Sequence, residues 1–198
     1  MCPTQIGLIL CLNGDQLQFK EMRWGLVPAW AKTVKDADKY SMTNAKSEEI
    51  SEKRSYKAAF QKRRCIVPVS GFYEWKRDST HKVPFAIRLK DQPVMSMAGI
   101  WERWSDGESA ADVYSFAVIT KAALGIMTNV HHRMPVILDQ EQEQIWLNPE
   151  TPLDEVNQTM LESNADSLEM FEVSPLVNST RNNSPELLKA ALPADSAV

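Results

Sequence analysis

Apolar residues in this chain recur mainly at every second position or in short unbroken runs, which predicts strands, with a few helices between them. Residues 6–12 form an apolar run of buried-strand length, Asn13-Gly14-Asp15 carries hairpin-turn chemistry, and residues 16–24 return as the partner strand. Residues 25–30 contain Pro28 and turn away; the polar residues 32–40 read as a loop, and 47–53 and 56–61 as short helices. Strands follow at 65–69, 71–76, 84–89, 94–104 and 113–120, with a turn at Asp78-Ser79-Thr80-His81 and a hairpin at Asp106-Gly107. Residues 122–128 read as a helix or turn, 134–138 as a strand, 139–147 as a helix capped by Asp139, and 152–160 as another helix. A last strand at 168–173, a short helix at 184–190 and a frayed tail at 192–198 complete the chain. The fold class this predicts is α+β: a single domain over residues 1–191, dominated by antiparallel strands with peripheral helices.

The 198 residues, 43% of them hydrophobic, suffice for one sizeable core. The net charge of −4 gives no global attraction for nucleic acid, so such binding requires a local basic patch. The densest basic run, Lys53 to Arg64, is equally that patch or a solvated helix face. Three cysteines without a Cys-x-x-Cys pair indicate a reducing compartment, with neither a disulfide framework nor a zinc site. His131 and His132 are adjacent, and neighbours on one strand cannot face the same metal, so neither metal nor cofactor is expected. The chain lacks an apolar run of membrane-helix length and a signal-peptide pattern, and it reads as a cytoplasmic protein, nucleoid-associated in a bacterium and nuclear in a eukaryote; a monomer is expected.

The chemistry centres on Gly71-Phe72-Tyr73-Glu74-Trp75-Lys76. On a strand, Glu74 shares a face with Phe72 and opposes Tyr73 and Trp75. A carboxylate beside aromatic bulk is poorly solvated, which favours acid–base use; a solvated glutamate on a half-exposed strand is the plainer alternative. Cys11 on a strand and Cys65 in an apolar run read as core, as do Trp24, Trp75 and Trp101, and His132 reads as a structural histidine.

Five motifs stand in order: Trp24-Gly25-Leu26-Val27-Pro28-Ala29-Trp30, Asn44-Ala45-Lys46, Gly71-Phe72-Tyr73-Glu74-Trp75, Ala98-Gly99-Ile100-Trp101 and His131-His132-Arg133-Met134-Pro135. In this the chain resembles the SRAP family, the SOS-response-associated peptidases or abasic-site processing proteins, and Asn178-Ser179-Thr180-Arg181-Asn182-Asn183 resembles that family's C-terminal motif. The resemblance implies a β-barrel-like domain with a DNA groove that traps abasic sites in single-stranded DNA. The trap is an N-terminal cysteine whose amine and thiol close a thiazolidine on the sugar aldehyde. It further implies that Asn44 holds the cysteine amine or the aldehyde oxygen, that Glu74 serves imine formation and release of the leader residue, and that His131 handles the proton on the sugar oxygen. Lys46 and Arg133 would hold phosphates, Lys46 standing where arginine is more usual, and Trp30 would stack on bases. Asn44 as a helix cap, His131 as a satisfied structural histidine and Arg133 as a surface ion pair are the local alternatives.

The N-terminus departs from the family. Family members open Met-Cys-Gly-Arg, then a helical segment, then a motif like Tyr-Asn-x-Ala-Pro-Thr-Gln; this chain reads Met1-Cys2-Pro3-Thr4-Gln5. Pro3-Thr4-Gln5 fits the later motif, so Cys2 falls either at its alanine, in a chain that lacks the nucleophile, or at a deletion that leaves Cys2 in service. Cys2 is the candidate for amine-plus-thiol chemistry; a non-crosslinking DNA-binding module and a Cys–His peptidase are the other functional readings.

Overall fold

A computed structural model of the chain describes residues 1–77, 82–107, 112–163 and 165–191. The turn expected at 78–81 and the tail expected at 192–198 lie outside the described residues. Eleven strands and four α-helices are seen among them, in a mixed α+β arrangement that matches the expected class.

In chain order these are β1 (Ile6–Asn13), β2 (Gln16–Trp24), α1 (Val34–Asp38), β3 (Asn44–Lys46), α2 (Lys57–Lys62), β4 (Arg64–Val69), β5 (Phe72–Arg77), β6 (Lys82–Leu89) and β7 (Met95–Trp104). They continue with β8 (Val113–Ala122), β9 (Arg133–Pro135), β10 (Ile137–Leu138), α3 (Gln140–Leu147), α4 (Leu153–Glu162) and β11 (Leu168–Glu172). The larger sheet runs β10-β7-β4-β1-β2-β8-β3, with β9 off this path. Because β7 also pairs with β8, the strands β7-β4-β1-β2-β8 close into a ring. Most contacts are antiparallel, as expected, but β8 receives both β2 and β3 in parallel. The smaller sheet is antiparallel, in the order β11-β6-β5.

The chain divides into two compact units, whose bounds enclose the described residues. The first comprises Met1–Pro68, Ser96–Ala122 and Pro135–Ser163; the second comprises Val69–Met95, Ala123–Met134 and Asn164–Val198. In the first, Leu26, Ile50, Phe60, Ile66, Ile100, Ile119 and Trp146 share one core, with the Phe60 and Trp146 rings 6.0 Å apart. Gly99 makes ring closure possible: a Cβ there would stand 2.9 Å from Val67 Cγ2 and 3.0 Å from Cys65 Sγ. Cys11 and Cys65 are buried and directly opposite across β1 and β4, as core residues.

Two buried cations terminate three of the helices of this unit, α2, α3 and α4. Arg64 donates to the carbonyls of Phe60 and Gln61 on α2, at 3.1 and 3.3 Å, and of Trp146 and Asn148 at the end of α3, at 2.6 and 2.7 Å. Lys121 Nζ donates to the carbonyls of Met160, Leu161 and Ser163 at the end of α4, at 3.1, 2.7 and 2.6 Å. These carbonyls have no intrahelical partner, and a cation there also meets the negative end of the helix dipole. Asp139 caps α3 as expected, in a reciprocal capping box with Gln142.

Several local expectations are corrected. The loop expected at 32–40 contains α1, because Thr33 accepts from the Asp36 N–H at 3.1 Å and starts a helical turn. Residues 47–52 form turns instead of a helix: Ile50 is the one apolar residue in that stretch, too few for a helical stripe. The helix expected at 184–190 is a single 3-10 turn, Pro185–Leu188, and the strand expected at 134–138 is broken at Val136 into β9 and β10. Trp24, Trp75 and Trp101 are half-buried; the core tryptophans are Trp104 and Trp146. Among the described residues, no helix is long and apolar enough to cross a membrane.

Candidate functional site

In the first unit, the Trp24-Gly25-Leu26-Val27-Pro28 stretch acts as a clasp for the segment that enters β3. The Trp24 indole donates to the Thr43 carbonyl at 3.0 Å, and the Leu26 N–H donates to the Met42 carbonyl at 2.9 Å. The Tyr56 hydroxyl donates to the Asn44 carbonyl at 3.3 Å. Burial pushes the Tyr56 phenol up, which keeps that donor protonated. Asn44 is therefore fixed by its backbone. Because β3 alternates, Ala45 is buried while the side chains of Asn44 and Lys46 leave by the opposite, exposed face. Asn44 is thus a strand residue and not a helix cap, an arrangement set by the parallel pairing of Asn44 to Val118. The Lys46 ammonium lies 3.4 Å from Glu49, whose other oxygen takes Lys53 at 3.2 Å.

The basic run does not form one face. Arg64 is buried on helix termini, Arg63 pairs with Glu102 at 2.6 Å, and Lys53 pairs with Glu49. Lys57 and Lys62 are exposed, as is Arg54, whose guanidinium lies 5.4 Å from the Trp30 ring. Trp30 is 43% exposed, a flat apolar surface open to solvent with a cation beside it.

Residues 2–5 continue the β1–β2 pairing: the Thr4 N–H donates to the Trp24 carbonyl at 2.8 Å, and the Trp24 N–H to the Gln5 carbonyl at 2.9 Å. The backbone nitrogen of Cys2 donates to Gln5 Oε1 at 2.7 Å, and the Gln5 N–H returns to the Cys2 carbonyl at 3.1 Å. Cys2 is partly exposed and carries a free thiol. Gln5 is visible in the sequence through the Pro3-Thr4-Gln5 motif, whereas nothing marks Tyr56, since its role is a single hydrogen bond and leaves no periodic pattern.

In the second unit, Glu74 lies on β5, opposite Phe85 of β6, on the face predicted by alternation. Gly71 precedes it of necessity: a Cβ there would be 2.7 Å from the Ile87 carbonyl oxygen. Glu74 Oε1 accepts from the Trp75 N–H at 3.1 Å, and Oε2 stands 3.9 Å from His131 Nδ1. His131 is held by its backbone N–H on the Met127 carbonyl at 3.0 Å, with Met134 buried just beyond. Its Nδ1 is 3.1 Å from both the N–H and the carbonyl of Arg133. A bare Nδ1 accepts from that N–H; a protonated Nδ1 donates to that carbonyl and faces the Glu74 carboxylate. The ring can therefore change protonation state without losing its anchor, which is what a proton-transfer group requires.

His131 and His132 are not on a strand, and their rings lie against each other with centroids 4.3 Å apart. His132 is exposed, which does not fit a satisfied structural histidine. Among the described residues, no cluster of His, Cys, Asp and Glu is arranged to hold a metal ion. The residues singled out from the sequence are thus divided, with Cys2, Trp30, Asn44 and Lys46 in the first unit and Glu74, His131 and Arg133 in the second.

Residues 1–180 match the family described as SOS response associated peptidase (SRAP). The abasic site processing protein YoqW of Bacillus subtilis is 40% identical over 192 residues, which span 96% of this chain and 84% of that protein. The abasic site processing protein HMCES of Xenopus tropicalis is 32% identical over 192 residues, spanning 86% of this chain and 57% of that protein. A crystal structure from Bacteroides thetaiotaomicron superposes with a TM-score of 0.85 at 30% identity, covering 96% of this chain and 82% of that one.

Proposed function

The chain belongs to the SRAP family, and from that premise we propose that it processes abasic sites in DNA by binding the single strand and crosslinking to the opened sugar through Cys2. The observation that carries this reading is the Glu74–His131 pair. Its carboxylate and imidazole are 3.9 Å apart, and the imidazole nitrogen finds a partner in either protonation state.

The chemistry balances without a metal or an oxidant. Hydrolysis of the Met1–Cys2 bond consumes one water and exposes the Cys2 α-amine. An abasic sugar opens to its aldehyde; the amine adds to the carbonyl carbon, and water leaves to give an imine. The thiolate then adds to the imine carbon, and nitrogen takes a proton, closing the thiazolidine. In this reading Glu74 moves the protons of carbinolamine dehydration and of leader release, and His131 moves the proton on the sugar ring oxygen. Asn44, exposed on a backbone-fixed strand, orients the amine or the aldehyde oxygen. Arg133 and Lys46 hold phosphates, and Trp30 offers a face for base stacking.

The experiment mixes the protein with single-stranded DNA carrying one abasic site, boils the mixture and runs a denaturing gel. A slow-migrating adduct that disappears in Cys2→Ala and after acetylation of the α-amine supports the reading. An adduct retained in Cys2→Ala shows that a lysine or a bare amine is the nucleophile. Absence of any adduct from the unmodified chain, with binding to the strand intact, reduces the function to non-covalent recognition.

A further inference from the structure

After β11 the chain runs out through two 3-10 turns, Pro175–Asn178 and Pro185–Leu188, and comes back on itself. Its ends are pinned together by the Val173–Ala190 bridge and by the Ala191 N–H on the Glu172 carbonyl at 2.8 Å. This strap touches β5 at two side chains. The Trp75 indole donates to Asn178 Oδ1 at 2.7 Å, and the Tyr73 hydroxyl donates to the Leu187 carbonyl at 3.2 Å. Tyr73 and Trp75 flank Glu74 and point to the face opposite it.

We infer that Asn178 is a positioning residue for Glu74, acting through Trp75; this rests on the role given to Glu74 above. The connection is continuous. Asn178 holds the Trp75 side chain, the Trp75 N–H holds Glu74 Oε1, and Glu74 Oε2 faces His131. The strand needs this hold. β5 is the edge of its sheet, and the Trp75 N–H is given to the Glu74 side chain and not to the ladder. Without the strap, the backbone beside the carboxylate is held on one side only, by β6. A strap that merely covered apolar surface would not need a tryptophan donor seated on an asparagine oxygen.

The test uses the full chain labelled with carboxyl-13C glutamate, with Glu74→Gln to assign the resonance. Asn178→Leu removes the acceptor, Trp75→Phe removes the donor and keeps an aromatic ring, and Asn178→Asp keeps an acceptor oxygen. At fixed pH, the Glu74 carboxyl resonance moves in Asn178→Leu and Trp75→Phe. The Trp75 indole proton of Asn178→Leu exchanges about tenfold faster, as the loss of one hydrogen bond gives. Adduct formation slows by about tenfold in both variants, with unchanged affinity for the strand, and Asn178→Asp recovers most of the rate. If the Glu74 resonance of both variants overlays that of the parent, the inference is overturned, whatever the adduct assay shows. If the resonance moves but the parent forms no adduct, the positioning stands and the crosslinking reading falls.

Discussion

The strand ring and the three-stranded sheet treat polar groups in opposite ways. In the ring unit, Arg64 and Lys121 are buried, and between them they saturate seven backbone carbonyls at the ends of three helices. Each has one geometry and one charge state that satisfies its neighbours, and a group so placed cannot change state without unmaking the helix ends it closes. In the unit of the small sheet, Glu74 on β5 and His131 on the segment before β9 are partly exposed, with 26% and 36% of their side chains open to solvent. The His131 Nδ1 has a donor and an acceptor at equal distance on one residue, so both of its states are satisfied. Saturation suits a group that builds the scaffold; a choice of partners suits the proton transfer proposed for Glu74 and His131.

Substitutions should separate the two behaviours. Arg64→Leu leaves the carbonyls of Phe60, Gln61 and Trp146 without the donor they have now and is expected to cost about 2–4 kcal/mol of stability. Urea unfolding followed by far-UV circular dichroism measures this, and an unchanged midpoint would show that water closes the helix ends as well as the guanidinium does. Glu74→Gln is expected to do the reverse. It keeps the size and most hydrogen bonds, slows adduct formation by about 100-fold and leaves the unfolding midpoint in place. A rate equal to that of the parent across the pH range removes Glu74 from the chemistry.

Smaller effects sharpen the contrast. Arg133→Ala is expected to reduce the slope of log affinity against log salt for single-stranded DNA by roughly one counterion, about 0.7 in the exponent; an identical slope places Arg133 away from phosphate. Cys65 tests the ring by pH. Burial, and then the nearby Cys11, push its thiol well above the ordinary value of 9.0. The folded chain therefore keeps a proton that the unfolded chain releases. The resulting stability is complete below pH 9 and is lost as pH rises toward the folded value. Cys65→Ala lacks this term, so the stability gap between parent and variant should narrow above about pH 9. A gap that stays constant from pH 8 to about pH 10.5 would show that the thiol is not shielded.

Much of this was legible locally. The alternation Phe72-Tyr73-Glu74-Trp75 fixed which face the carboxylate takes, and the Asp139 cap was readable because capping depends on residues three apart. Asn44 was not legible. Nothing in Thr43-Asn44-Ala45-Lys46 distinguishes a helix cap from a short strand until Val118, more than seventy residues away, supplies the parallel partner. The basic run misled for the same reason. Arg64 looks like its neighbours Lys62 and Arg63, but the carbonyls that draw it inward belong to Trp146 and Asn148. Trp75 and Asn178 carry no shared pattern, since a single hydrogen bond across 103 residues leaves no periodicity.

The sequence by itself determined the α+β class, most of the strands and, through five ordered motifs, the family. These follow from side-chain alternation, turn chemistry and residue order, all of which act within a few positions of the backbone. The tertiary structure alone decided ring closure, which cations are buried, and which histidine nitrogen faces Glu74. Each of these depends on groups far apart in the chain meeting at hydrogen-bond range. A buried charge, or a ring nitrogen with two partners to choose from, is defined by those partners and not by its neighbours in sequence.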